Sequence, residues 1–200
     1  MIGISISIFI GVILGLFFKS PFITANSDIF IDIGLCLLLF FVGIDIGDNS
    51  SVFKDLKKYG KKIWFLPIST IIGSLIGGLI GSFILPISLG ESLAVSSGLG
   101  WYSLSAIELS KISAELGSIA FLSNIFREVL AIITIPFIAK SFGSFESVSV
   151  AGATAMDTLL PVINRSNTSD ISIIAFFSGV VLTSSVPILV PLIVNIFNLR

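Results

Sequence analysis

Charged side chains interrupt the apolar second half of this 200-residue chain at positions that could carry chemistry. Asp157 lies in a segment rich in Gly, Ala and Thr, and Arg127 and Glu128 lie near the middle of an apolar run. Each charge at the centre of a membrane helix costs about 2.5–3.5 kcal/mol on insertion scales, so such groups normally face a bundle interior or a water-filled cavity. Desolvation raises the pKa of buried carboxylates toward the range that proton coupling needs. These residues therefore indicate a candidate transport site.

The run that carries Arg127 and Glu128 has one polar face. Asn124 precedes Arg127 by three residues and Glu128 by four, a spacing that places them on neighbouring turns. Arg127 and Glu128 point roughly 100° apart, so they need not pair with each other. The alternative interpretation is a purely structural ion pair with another helix.

The segment 91–109 is only moderately apolar, and its glycines predict a broken helix. A break exposes backbone N–H groups that suit an anion such as a carboxylate. A polar re-entrant loop or a packed helix without a ligand is the alternative. The candidate binding residues here are Gly98, Gly100, Trp101, Tyr102 and Glu108.

The segment 148–162 is the second broken element, too short and too interrupted for a simple span. Its small residues, among them Gly152 and Thr154, let other backbone approach, and Pro161 breaks the ladder of backbone hydrogen bonds. Asp157 is the single carboxylate of this segment, and it is costly in lipid. We therefore expect Asp157 to be central to the candidate site.

The composition excludes several classes of function. With 54% hydrophobic residues the chain is an integral membrane protein. It has no His and a single Cys, Cys36, so a His-based triad, a His metal cluster and an intrachain disulfide are excluded. Glu128 and Asp157 could imitate the acid pair of an intramembrane protease, but the signatures of that class are missing. We expect no enzymatic activity, no metal site and no cofactor.

The apolar pattern predicts a single all-α transmembrane domain over residues 1–200, with five continuous transmembrane helices and two broken or re-entrant helical segments. If both broken segments cross the bilayer there are seven spans, and if both re-enter there are five. Gly73, Gly77 and Gly81 repeat every four residues, which predicts a ridge of close helix contact. The continuous spans are predicted at 1–18, 29–46, 63–85, 116–138 and 171–196.

A short basic loop fixes the predicted orientation. Five of the 11 basic residues fall between Lys54 and Lys62, and the positive-inside rule places them in the cytoplasm. The N-terminus is then cytoplasmic and, with five or seven spans, the C-terminus lies outside. The loop is too brief to indicate nucleic-acid binding. Asp32 and Asp45 in the second span are possible accessory acids, or they lie at the level of the lipid headgroups.

Three motifs occur in the order Ser97 to Ser105, Phe126 to Ile132, and Gly152 to Asp157 followed by Leu160-Pro161-Val162 and Arg165. Together these motifs resemble the LysO-type lysine exporters of bacteria. The resemblance covers roughly Leu38 to Ile196 and includes the Val-Gly-Ile span end at Leu39 to Ile44. Members of that family carry about a hundred further residues before this region, so the chain looks like the separately encoded C-terminal half of a split exporter, or a minimal version that dimerises.

The resemblance implies export of L-lysine, or of a lysine-like cationic amino acid, across the bacterial cytoplasmic membrane. Antiport with a proton is expected, and Na⁺ is the other candidate for the coupling ion. Lysine needs carboxylates for its two ammonium groups, here Asp157, Glu128 and Glu108. Arg127 and the glycine-broken backbone would bind its carboxylate.

The expected partners are the lipid bilayer and either a second copy of the chain or a small companion membrane protein. The family often has Asp where this chain has Asn124, and an apolar residue where it has Glu108. The alternative function is that of a non-transporting membrane subunit that assembles with, or regulates, a partner membrane protein.

Overall fold

A computed structural model describes residues 60–199, together with residues 10, 13, 14, 26, 33, 37, 40 and 44; the side chains of Lys61, Lys62 and Ser169 are not described. The chain divides into two compact units, residues 1–45 and 46–200, and the second unit contains all of the helices whose bounds are given below. The predictions for the spans 1–18 and 29–46, for the lysines at 54–58, and for Asp32 and Asp45 lie outside the described residues.

The described part of the second unit is helical and contains no strand. Three of its helices are long and apolar enough to cross a membrane, which agrees with an all-α membrane protein: α1, α4 and residues 170–196 of α7. Short 3-10 turns cover Gly60–Trp64 and Gly152–Met156. The helices are α1 Phe65–Ile84, α2 Leu89–Ser96, α3 Tyr102–Ser110, α4 Ala114–Ser141, α5 Ser144–Ala151, α6 Leu160–Ser166 and α7 Ser169–Ile196.

Side-chain caps fix where two of the helices begin. Ser88 and Glu91 form a capping box, since the Ser88 hydroxyl accepts from the Glu91 N–H and the Glu91 carboxylate accepts from the Ser88 N–H. The Ser113 hydroxyl accepts from the N–H of Leu116 at 3.0 Å and starts α4. Such caps satisfy N–H groups that have no partner within the helix.

Two helices are interrupted. A break at residues 97–101 separates α2 from α3, and a break at residues 152–159 separates α5 from α6. The first break contains Leu99 and Gly100, with φ angles of 49° and 111°, and the second begins at Gly152, with φ 62°. These values lie in the left-handed region, which a helix cannot contain, so the chain must leave the helix at both places.

The starts of three helices lie at one end of this unit. The ring of Trp64, which precedes α1, packs edge-on against Phe177 in the first half of α7, with ring centroids 5.3 Å apart. Leu66 at the start of α1 and Glu146 at the start of α5 line one cleft. Because α5 follows α4 directly, this is also the end at which α4 finishes.

The opposite end collects the start of α2 and the end of α7. A Cβ on Gly90 in α2 would lie 2.6 Å from the Cβ of Phe197, which follows α7. Because α4 finishes at the other end, its start at Ala114, which closely follows the end of α3, lies at this end. The α2–α3 pair thus enters and leaves the bundle at this end, and the α5–α6 pair enters and leaves at the other.

The predicted glycine ridge of α1 is only partly formed. Gly81 faces the Ser92 hydroxyl of α2, and the closest approach is at Gly78, where an added Cβ would collide with the Ser96 side chain. Gly73 and Gly77 have no described heavy atom within 4 Å of the place where a Cβ would stand. Of the predicted repeat, Gly81 therefore contacts α2, where Gly78 and Ser74 complete the contact surface of α1.

Candidate functional site

The two helix breaks lie against each other. The N–H of Ala153 in the second break donates to the carbonyl of Leu99 in the first, at 2.9 Å. A Cβ on Gly152 would stand 2.6 Å from the same carbonyl oxygen, so only glycine permits this approach. Gly179 of α7 also packs against the second break, because its lack of a side chain leaves space for the backbone of Met156. The crossing therefore joins irregular backbone from both ends of the bundle at one place.

Asn124 of α4 holds the first break. Its Oδ1 accepts from the N–H of Gly100 at 2.8 Å, and its Nδ2 donates to the carbonyl of Ala120 at 2.8 Å. A longer bond of 3.4 Å reaches the Ser105 hydroxyl of α3. The side chain is buried, so these bonds satisfy polar groups that water does not reach. In this arrangement Asn124 supports the backbone around Gly98 and Gly100.

Arg127, one helical turn further along α4, holds the second break. Its two terminal nitrogens donate to the carbonyls of Val150 and Ala151, each at 3.1 Å. These are the last carbonyls of α5, which the break at Gly152 leaves without partners within the helix. A cation at a helix C-terminus also interacts favourably with the helix dipole. Arg127 Nε is buried and has no hydrogen-bond partner among the described residues.

Asp157 and Glu128 meet at Thr158. The Thr158 hydroxyl donates to a carboxylate oxygen of Glu128 at 2.5 Å, and the Thr158 N–H donates to Asp157 Oδ1 at 2.6 Å. The hydroxyl is also 3.4 Å from that same Asp157 oxygen. One threonine therefore bridges a carboxylate on a continuous helix and a carboxylate on a break.

Tyr102, the first residue of α3, completes the surroundings of the two acids. The negative charges of Glu128 and Asp157 both act on its phenol, which places it within their electrostatic reach. Its ring packs edge-on against Phe121 of α4, with centroids 5.6 Å apart. The amino-terminal end of α3 therefore places Tyr102 directly after the first break, packed against α4.

The remaining predicted residues divide into two groups. Trp101 and Thr154 lie at the breaks. The backbone N–H of Trp101 donates to the Gly98 carbonyl at 2.7 Å. The buried Thr154 hydroxyl donates to the Ala151 carbonyl at 2.7 Å. Glu108 instead lies at the end of α3 and pairs with Lys111 at 2.6 Å. The structure therefore does not bring Glu108 to the acid pair.

Sequence reasoning missed Thr158 and Leu99. Thr158 follows Asp157 directly, and a hydroxyl beside a carboxylate in an apolar segment was the available signal. Nothing in the residue type marks Leu99, because its role comes from a backbone carbonyl and a left-handed φ angle. No group of three or more His, Cys, Asp or Glu in the described part of the chain could hold a metal ion.

The comparison with known proteins identifies the family. The family model described as "Lysine exporter LysO" matches residues 5–194. The chain belongs to the LysO family. It is 38% identical to the lysine exporter LysO of Escherichia coli over 124 residues, which are 62% of this chain and 41% of that protein. It is 35% identical over 119 residues to a Haemophilus influenzae protein named "Putative lysine exporter", covering 59% of this chain and 60% of that protein.

The LysO assignment confirms the resemblance predicted from the three motifs, and it describes a family of exporters, not of enzymes. The matched segments span less than two thirds of either relative. No solved structure matches the chain significantly. In this LysO chain the three motifs coincide with the first break, with the polar face of α4, and with the second break.

Proposed function

We propose that this chain exports L-lysine, or a lysine-like cationic amino acid, across the bacterial cytoplasmic membrane as a secondary transporter. Membership of the LysO family and the names of the two relatives support the substrate class. The apolar helices support a place in the membrane. The observation that carries the proposal is the pair of carboxylates, Asp157 and Glu128, joined through Thr158 beside two crossing helix breaks.

This arrangement suits a site at which a proton and an ammonium group can replace each other. Two carboxylates on one hydroxyl offer acceptor oxygens to an ammonium group, which has only donors. They also repel each other when both are ionised, so a proton or a cation is favoured at one of them. An ammonium group that arrives would displace the proton, and a proton that returns would release the ammonium. We propose proton antiport on this basis, with Na⁺ as the alternative coupling ion.

We also propose that both broken segments re-enter and do not cross. The α2–α3 pair has its outer ends at one end of the bundle, and the α5–α6 pair has its outer ends at the other. Opposed re-entrant segments that meet at their breaks would place the site between two routes, one from each side of the membrane. This arrangement supports five spans, an internal N-terminus and an external C-terminus.

We also propose that the chain assembles with a partner, either a second copy of itself or a small companion membrane protein. Thr158, which bridges the two acids, is exposed, and an exposed polar group within a membrane needs protein or water beside it because lipid cannot satisfy it. Co-purification of two differently tagged copies from one membrane would test the homodimer directly. Failure of the two tags to co-purify would remove the homodimer and leave the companion protein.

Counterflow in proteoliposomes tests the function. Vesicles that contain the purified chain and unlabelled L-lysine should accumulate labelled L-lysine from outside, and an imposed pH gradient should change the extent. Labelled L-leucine, which lacks the side-chain ammonium, is the control substrate and should not accumulate. If lysine does not accumulate either, the chain alone is not a transporter, and the non-transporting subunit becomes the better interpretation.

A further inference from the structure

Two clefts run along the side of α1 that faces α5. The first has a volume of about 310 Å³ and reaches the starts of both helices. The second has a volume of about 280 Å³ and reaches Arg127 and Leu99. Ser69 and Ser149 line both clefts, so the two adjoin. Together they connect the end of the bundle at Glu146 with the guanidinium that holds the second break.

Arg127 brings a positive charge to the inner cleft. It forms no salt bridge within the described part of the chain, and its terminal nitrogens bind only neutral carbonyls there. The neighbouring Glu128 acts on it electrostatically, but that carboxylate is hydrogen-bonded to Thr158. Buried charges are normally paired, and a guanidinium has five N–H donors, of which the carbonyls use two. The inner cleft therefore favours an anionic group beside Arg127.

The part of the inner cleft that α1 forms offers acceptors. The hydroxyls of Ser69 and Thr70 donate to the carbonyl of Leu66, and the hydroxyl of Ser74 donates to the carbonyl of Ser96. Each hydroxyl has a single hydrogen, so what remains on these oxygens is lone pairs that can accept from an ammonium group. The inner cleft thus has a guanidinium that can bind an anion and hydroxyls that can accept from an ammonium group. This combination suits a zwitterionic group, which carries both charges.

The depth of Arg127 favours a free solute over a lipid. It lies 13 residues after the start of the 28-residue α4, or about 20 Å along the helix axis. A lipid phosphate lies at the headgroup level, beyond the hydrocarbon core of about 30 Å. A phosphate in that position would not reach the middle of the helix, whereas a small amino acid in the cleft would.

We propose that the paired clefts are the entry route and binding site for the α-amino acid end of the substrate, with its carboxylate at Arg127 and its α-ammonium at the hydroxyls of α1. The outer cleft opens near Trp64, at the end of α1 that follows the predicted cytoplasmic loop. Glu146 at that opening would attract a cationic amino acid from the cytoplasm. This inference rests on the proposed export of lysine, and it assigns the substrate's two ends to different places.

Protection of an engineered thiol tests the inference without a transport measurement. Cys36 is the single cysteine of the chain, so Cys36→Ala with Ser149→Cys leaves one thiol in the clefts. L-lysine at ten times its dissociation constant should slow maleimide labelling of that thiol about tenfold. 1,5-diaminopentane has the same two ammonium groups as lysine but no carboxylate, so it should protect the thiol little at the same concentration. Val150→Cys in the same background is a second reporter should the first variant fail to fold, since Val150 also lines the inner cleft and only its backbone carbonyl binds Arg127.

The control and the other outcomes separate the possibilities. Ser118→Cys lies in the exposed first turns of α4 and should label at the same rate with and without lysine. Equal protection by 1,5-diaminopentane, or none by lysine, overturns the inference, as does protection by added phosphatidylglycerol in place of lysine. If counterflow succeeds while protection fails, the proposed function stands and the cleft site falls. If protection succeeds while counterflow fails, the site stands and transport by the chain alone falls.

Discussion

At the scale of single residues, the candidate site depends on side chains that satisfy irregular backbone. Asn124 and Arg127 lie one turn apart on α4, and each serves a different break. A buried N–H or carbonyl that loses its partner costs about 1–3 kcal/mol, so these residues stabilise the crossing as well as shaping it. This explains why polar residues are tolerated in the middle of an apolar helix.

Asn124→Ala should destabilise the protein by about 1–3 kcal/mol, because the Gly100 N–H and the Ser105 hydroxyl lose a buried partner. Thermal unfolding in detergent measures the effect. Ser123→Ala changes the preceding, exposed residue of the same helix and should leave the unfolding temperature nearly unchanged. An equal shift in both variants would contradict the support that we assign to Asn124.

Thr158→Val should lower lysine counterflow about tenfold or more while the protein remains folded. Valine keeps the shape of threonine but cannot donate to Glu128, and a hydrogen bond to a charged group contributes about 1.5–3 kcal/mol. Thr158→Ser keeps the hydroxyl and should restore most of the rate. If valine and serine give the same rate, the bridge between the two acids has no role in transport.

At the scale of elements, glycines decide where the two breaks approach each other. Gly152 has φ 62° and faces both Leu99 and Arg127, whereas no heavy atom of the described residues lies within 4 Å of the place where a Cβ on Gly73 in α1 would stand. Gly152→Ala should therefore destabilise the protein by about 2 kcal/mol or more. Gly73→Ala is the matched control and should be neutral or stabilising by up to about 1 kcal/mol, since alanine is the better helix former. Similar unfolding temperatures for the two variants would argue against the crossing.

The sequence predicts the kind of each element better than its contacts. Gly100 and Gly152 lie at the breaks because their positive φ angles fall outside the helical region, and glycine adopts such angles without steric cost. Helix α4 starts two residues before the predicted span and ends three residues after it, because Ser113 caps it beyond the apolar run. The bond from Ala153 to Leu99 could not be predicted, since it joins two backbones 54 residues apart and leaves no mark on residue type.

At the scale of the whole molecule, opposed re-entrant segments predict which loops face each side of the membrane. In the Cys36→Ala background, Ser110→Cys at the end of α3 should react with an impermeant maleimide added outside intact cells. Ser141→Cys at the end of α4 should react only after the membrane is made permeable. Two crossing segments would reverse both results, because the loops after α3 and α4 would then exchange sides.

The central claim is that Asp157 and Glu128 together bind the cation that is transported or exchanged. The most direct measurement is pH-gradient-driven lysine transport in proteoliposomes by Asp157→Asn and Glu128→Gln, each at the same protein density as the wild type. Asp170→Asn and Glu115→Gln, carboxylates in the first turns of α7 and α4, are the matched controls. We expect both site variants to lose transport and both controls to keep it. Wild-type transport by Asp157→Asn would contradict the account.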